Sequence, residues 1–272
     1  MSTTPPQLNT LAIDVDGEVG TLTLNRPDSL NAMNPELIRE LRAAASWLAD
    51  DAPLRAAIVT GAGRAFSAGG DIKGWFKPGL DDPDFDLSAD VRHVADVLHQ
   101  AIVDLRRTRY PVIAAVNGPA AAAGLSLALA CDLRIASDAA TFVCAYGRIG
   151  AAPDGGLTYF LPRTVGPAKA IELMLEDPVI DARRAVELGL ASEVVPADEL
   201  AAAARAKAQE LAAKAPHYVR MAKTLVASSL DNSLADHLQL ERHGIADAMA
   251  MEDLRGGVEA FLVGGEAEFE GR

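Results

Sequence analysis

Two runs of small residues, each set directly behind an apolar, β-rich segment, constrain this chain most. The first is Gly63-Arg64-Ala65-Phe66-Ser67-Ala68-Gly69-Gly70-Asp71-Ile72, behind Arg55 to Thr60. The second is Asn117-Gly118-Pro119-Ala120-Ala121-Ala122-Ala123-Gly124-Leu125, behind Pro111 to Val116. Short apolar segments bounded by turn formers read as buried strands. A turn poor in side chains at the end of such a strand leaves its backbone N–H groups open to approach. Two such turns can present N–H groups to one ligand atom, which is how an oxyanion hole is built from backbone alone. The pairing suggests stabilisation of an enolate.

The rest of the chain reads as an α/β protein. Residues 1–9 read as a disordered tail. Leu11 to Asp16 and Val19 to Leu24 read as strands joined by a turn at Asp16-Gly17. Asn34 is a candidate N-cap with Pro35 at the first helical position, and Leu37, Ile38, Leu41, Ala44, Ala45 and Leu48 follow at helical spacing. Residues 74–90 read as a mobile loop. Val91 to Arg107 is an amphipathic helix, and Ala121 to Ala130, apolar nearly all round, is a buried one. The strand–helix alternation stops near Val195-Pro196. We therefore divide the chain into a core over residues 1–196 and a helical region over 197–272, whose apolar faces call for packing on the core or on another subunit.

Composition narrows the partners. The chain has 272 residues, half of them hydrophobic, which suits one large domain or one domain with an appendage. A net charge of −13 argues against nucleic acid or an anionic membrane surface. It leaves room for a small anion held by local cations and helix N-termini. The two cysteines, Cys131 and Cys144, do not make a disulfide framework, so a cytoplasmic location is expected. The first nine residues show no signal-peptide pattern. The longest apolar stretch, Pro119 to Cys131, is too short to span a bilayer.

The two small-residue runs, together with Asn25-Arg26-Pro27, Leu30-Asn31-Ala32, Cys131-Asp132-Leu133-Arg134-Ile135-Ala136 and Ala185-Val186-Glu187-Leu188-Gly189-Leu190, resemble the enoyl-CoA hydratase/isomerase family, also called the crotonase superfamily. The likeness runs over nearly the whole chain and leans toward the isomerase-like branch related to phenylacetyl-CoA catabolism. It implies a crotonase-like spiral of ββα units with a helical C-terminal trimerisation region. It also implies a homotrimer or dimer of trimers, and an acyl-CoA thioester as substrate with no separate cofactor or metal. By motif position the resemblance assigns the oxyanion-hole N–H groups to Gly70 and Ala123, the latter where the family usually has glycine. It assigns backbone contacts with CoA to Ser29, Leu30, Ala68, Gly69 and Ile72. Asp28 stands where many members carry a lysine near the CoA phosphates.

Family hydratases hold a water between two glutamates, at positions occupied here by Ser126 and Tyr146. Neither is a carboxylate. The acidic residue left in that neighbourhood is Asp154, within Gly150-Ala151-Ala152-Pro153-Asp154-Gly155-Gly156. In the isomerase-like branch an acidic residue at this place removes a C2 proton from a 3-enoyl-CoA and returns it at C4. Taken alone, Pro-Asp-Gly is an ordinary turn sequence. The expected activity is a double-bond shift. Hydration by non-standard acid/base residues, nucleophilic attack by the aspartate on an aryl-CoA, and non-catalytic acyl-CoA binding stay open. Tyr146, Trp75 and Phe76 are candidate pocket walls and Asp132 a helix-end or interface residue. His93 and His99 could approach the pocket but read better as solvated, and His217, His237 and His243 fall in the helical tail with no metal spacing.

Overall fold

The structure is a computed structural model describing residues 4–272; residues 1–3 of the expected tail lie outside the described residues. Strands β1 (Leu11–Asp16) and β2 (Val19–Leu24) form the expected hairpin, turning at Gly17 with φ 62°. Helix α1 (Pro35–Asp50) begins at Asn34, whose side chain accepts the Leu37 N–H. Then come β3 (Ala56–Gly61), a π-turn over Ile72–Phe76, α2 (Lys77–Asp81), α3 (Leu87–Arg107) and β4 (Val112–Val116). The second small-residue run carries β5 (Ala120–Ala121) and α4 (Ala123–Ala130). It leads to β6 (Leu133–Ser137), β7 (Thr141–Val143), a 3₁₀ turn at Tyr146–Ile149, α5 (Leu157–Val165) and α6 (Pro167–Glu176). The core closes with β8 (Ile180–Asp181), α7 (Ala182–Glu187) and β9 (Glu193–Val195). Four helices follow: α8 (Leu200–Ala212), α9 (Pro216–Ser228), α10 (Leu234–Ala248) and α11 (Glu252–Val263).

One sheet runs β1-β2-β3-β4-β6-β9, antiparallel at the first pair and parallel throughout the rest. A smaller sheet, β5-β7-β8, stands beside it. Parallel strands need cover on both faces because their crossovers lay helices over them. On one face α1 and α3 pack together, with Leu37, Leu41, Leu98 and Leu105 against Leu22, Val59 and Ala114 in one cluster. On the other, α8 lays Ala204, Ala208 and Ala212, spaced four apart, against Ile58, Ile113 and Ile135. Alanine at every fourth position lets this helix sit close to the branched side chains of the sheet. Helix α4 is buried along its whole length, as its all-apolar sequence requires.

Two sequence expectations change. Residues 74–90 are not an open loop: Trp75 and Phe76 lie in the π-turn, α2 follows, and α3 starts at Leu87 with Asp86 capping the Ala89 N–H. The aspartates that read as loop residues include this helix cap and Asp90, which accepts the Trp75 indole N–H at 2.8 Å. Before β1, Leu8 packs on the core, and the Asn9 and Thr10 N–H groups are donated to the Glu40 carboxylate at 2.8 and 2.7 Å.

Candidate active site

The two small-residue turns are stitched together. Phe66 and Ser67 N–H both reach the Pro119 carbonyl at 3.1 Å, and the Ala121 N–H returns to the Ser67 carbonyl at 2.9 Å. Glycine is what permits this closeness. A Cβ on Gly124 would lie 2.4 Å from the Ser67 carbonyl oxygen, and one on Gly69 2.8 Å from that of Ala121. The residues flanking Gly70 and Ala123 are thus in direct contact.

The hydrogen bonds leave Gly70 and Ala123 among the open donors of the two turns. Across the first turn, the Ala68 N–H goes to Leu30, Gly69 to the Ser67 hydroxyl, Asp71 to Met33 and Ile72 to Gly70. In the second, Ala121 and Ala122 N–H go to Ser67 and Val143. Among the described residues, the N–H groups of Gly70 and Ala123 are donated to no protein acceptor. Ala123 opens α4, so its N–H is one of the orphan donors of a helix N-terminus, where the helix dipole adds to its pull on an anion. Ala122, just before it, is bent to φ 47°, ψ −121°. The Phe76 ring lies over Gly70, near enough that a Cβ there would be 3.3 Å from it. Trp75 stacks beside Phe76 at 4.7 Å between centroids. The π-turn therefore sets aromatic surface next to the open donor at Gly70.

Ser29, Leu30, Ala68, Gly69 and Ile72 share one ledge. The loop holding Ser29 and Leu30 is bonded to the Ala68–Ile72 turn through Ala68 N–H to Leu30 (3.0 Å) and Met33 N–H to Gly69 (2.7 Å). Their own N–H groups are all spent on nearby protein acceptors, Ser29 on Arg26, Leu30 on Pro27, Gly69 on Ser67 and Ile72 on Gly70. A ligand lying here would meet carbonyl oxygens and side chains, with Ile72 the half-exposed apolar member. Under the ledge, buried Asp71 accepts the Gly74 N–H and pairs with Arg26 at 3.0 Å.

Ser126, Tyr146 and Asp154 come together. Ser126, in the first turn of α4 and fully buried, reaches the Asp154 carbonyl at 3.0 Å and the Ala122 carbonyl at 3.2 Å. The Tyr146 hydroxyl donates to Asp154 Oδ1 at 2.5 Å. The single Ser126 proton has two carbonyls within reach, the Asp154 one being nearer, so Asp154 lies close to the residue before Ala123. Burial, and then the charge of Asp154, push the Tyr146 phenol well above its ordinary range, so it acts as donor. Gly155 and Gly156 have φ of 60° and 82°, a left-handed pair that turns the chain into α5. The Gly155 N–H is donated to His99 Nε2 at 3.3 Å. The sequence reading allowed this histidine to approach the pocket but preferred it solvated; no local signal ties α3 to a loop 56 residues on.

The remaining candidates stand apart from this cluster. Asp132 bridges Arg106 at 3.0 Å and Lys223 at 2.7 Å and accepts the Val112 N–H, which ties α3, α9 and β4 together just behind α4. Cys131 and Cys144 are free and buried, and burial pushes their thiols up to about 12 and about 11. His217 contacts the Gly244 carbonyl, and His237 lies 3.7 Å from Glu241.

A spiral core with helices at its C-terminal end, two stitched turns with two open N–H groups and a carboxylate beside them define a class. The enoyl-CoA hydratase/isomerase family profile matches residues 14–272. The chain is 38% identical over 253 residues to a Mycobacterium bovis protein named "Probable enoyl-CoA hydratase echA8", covering 93% of this chain and 95% of that one. It is 37% identical over 260 residues to the 1,2-epoxyphenylacetyl-CoA isomerase of Escherichia coli K12, covering 95% and 97%. A crystal structure of an enoyl-CoA hydratase from Bacillus anthracis superposes with a TM-score of 0.88 at 30% identity, over 97% of this chain and 100% of that one. The chain belongs to the enoyl-CoA hydratase/isomerase family and has the crotonase-like fold. It is an acyl-CoA enzyme of that family.

Proposed function

We propose that this enzyme shifts a double bond in an acyl-CoA, converting a 3-enoyl-CoA to a 2-enoyl-CoA, with Asp154 as the base. The observation that carries this reading is the identity of the residues around Asp154. Where family hydratases have their two glutamates stand Ser126 and Tyr146, and both bind Asp154. Asp154 takes a proton from C2; the electron pair moves into the C1–C2 bond and onto the thioester oxygen. The Gly70 and Ala123 N–H groups hold that oxygen, a type of stabilisation in which one donor is worth about 2.7–4 kcal/mol. The dienolate then collapses: the C2–C3 double bond forms, the C3–C4 one breaks, and Asp154 returns the proton to C4. One carboxylate suffices because C2 and C4 lie within its reach on one face.

The acyl-CoA lies along the ledge of Ser29, Leu30, Ala68, Gly69 and Ile72, its thioester toward Gly70. No separate cofactor takes part in this scheme. The proposed setting is the cytoplasm, where two buried free thiols stay reduced. A second reading, hydration of a 2-enoyl-CoA with non-standard residues, is favoured by the name of the Mycobacterium bovis relative. A panel of 3-enoyl- and 2-enoyl-CoA thioesters, followed at the thioester chromophore, separates the two. Isomerisation should exceed hydration by a wide margin. Asp154→Asn keeps the shape but cannot take a proton, so it should retain CoA binding and lose about 10²–10⁴-fold in turnover. Full isomerase activity in that variant would refute the assignment.

A further inference from the structure

We propose that Tyr146 is a positioning residue for the reaction: its hydroxyl pins Oδ1 of Asp154, and the Ser126 hydroxyl pins the Asp154 main chain, so that Oδ2 alone meets the substrate. This inference rests on the isomerase reading above. It differs from a plain replacement of glutamates by inert residues, because both replacements have a defined job on the remaining carboxylate.

Three observations carry it. First, the tyrosine is aimed. Its hydroxyl lies 2.5 Å from Asp154 Oδ1 and 3.3 Å from the Asp154 carbonyl, so its single proton goes to the nearer, charged oxygen. Among the described residues, Oδ1 has this donor, whereas no hydrogen bond reaches Oδ2. Second, the tyrosine is itself held. It begins the 3₁₀ turn Tyr146–Ile149 behind Ala145, whose φ is 62°. The Ala145 N–H is donated to Asp177 Oδ1 at 2.8 Å, and Arg148 pairs with Asp177 Oδ2 at 2.6 Å. Asp177 thus clamps both ends of the turn. Third, the Asp154 backbone is fixed from two more sides: its carbonyl takes Ser126 Oγ at 3.0 Å and the Leu157 N–H at 3.1 Å. A carboxylate on a glycine-rich loop would otherwise rotate freely about its side-chain bonds. Held at one oxygen, it offers the other in one orientation to C2 and then to C4.

The phenol does not donate its proton to the substrate, since burial and the adjacent carboxylate hold it protonated. A hydrogen bond to a charged group contributes about 1.5–3 kcal/mol. Lost only where the base must be aligned, that amounts to about 10–100-fold in kcat.

The test compares Tyr146→Phe with Asp154→Asn and wild type, using a 3-enoyl-CoA deuterated at C2. Tyr146→Phe should lower kcat about 10–100-fold while leaving KM and Tm near wild type. It should also cut the share of deuterium that arrives at C4, because a loosened carboxylate exchanges its proton with water before returning it. A Tyr146→Phe enzyme with wild-type kcat and label transfer, beside an inactive Asp154→Asn, would overturn the positioning role and leave the isomerase reading standing. Full turnover in Asp154→Asn would overturn both. Should Tyr146→Phe fail to fold, Ser126→Ala decides. Alanine suits α4, so the helix forms; a lower kcat at constant KM supports the proposal, and an unchanged kcat overturns it.

Discussion

Ala122 sits at φ 47°, ψ −121°, immediately before the first residue of α4. A Cβ in such a sparsely populated region costs about 1–3 kcal/mol. Glycine takes it without strain but gives back about 0.5–1 kcal/mol of chain entropy. Ala122→Gly should therefore stabilise the fold by about 1 kcal/mol, read as a higher Tm; an unchanged or lower Tm would show that the site carries no strain there. The two turns were legible in the sequence because small residues advertise accessible backbone; Gly70 and Ala123 within them came from the family resemblance. Asp154 was legible through motif position. Its partnership with Tyr146 was not: the direction of that side chain depends on a turn fixed by Asp177, 32 residues beyond Ala145. Nothing local to Tyr146 encodes it.

Helices here are tied down by single half-buried carboxylates and cations. In α1, burial of Glu40 opposes ionisation, but the Thr10 hydroxyl and the N–H groups of Asn9, Thr10 and Leu11 outweigh it and hold the carboxyl below its ordinary value. A carboxylate depressed in the folded state stabilises above its unfolded value, and that stabilisation is lost as pH falls through the lower folded value. Glu40→Gln should thus be less stable than wild type at neutral pH, with the gap closing below the ordinary carboxylate range in urea titrations at several pH values. A constant gap would mean the interaction is not ionic. Helix α9 is held by Lys223, whose ammonium meets Asp132, the Thr108 hydroxyl and the Tyr110 carbonyl at 2.7, 2.8 and 2.7 Å. Burial lowers its basicity and Asp132 opposes that fall. Lys223→Met should cost about 1.5–3 kcal/mol, the loss of a hydrogen bond between charged groups at a half-buried site, with Asp132 still paired to Arg106. An unfolding midpoint equal to wild type would contradict this. Long periodic elements such as α1, α3 and α4 could be read from the chain; β5 and β8, two residues each, could not. Strands that short exist only through their partners in β7, so no periodicity marks them. The π-turn and α2 escaped notice because Pro78, Gly79 and the aspartates there mimic a loop.

Over the whole molecule, the last three helices leave an apolar surface. Leu234, Phe261, Leu262 and Val263 are each at least 75% exposed, and Ile245, Met249 and Val258 at least half. Single exposed apolar residues are ordinary, but a set of this size on consecutive helices marks a contact surface. We expect a homotrimer or a dimer of trimers through this region. Light scattering at micromolar protein should report three or six chains, and a monomer would refute the expectation. The economy of N–H groups at the two turns has one more consequence. Main-chain donors persist through every substitution except proline. The carboxylate and its two hydroxyl partners, by contrast, are side chains on three separate segments. The grip on the ligand and the tool that works on it are thus inherited separately: mutation can re-equip the opposite wall while the anchor point stays where the fold puts it.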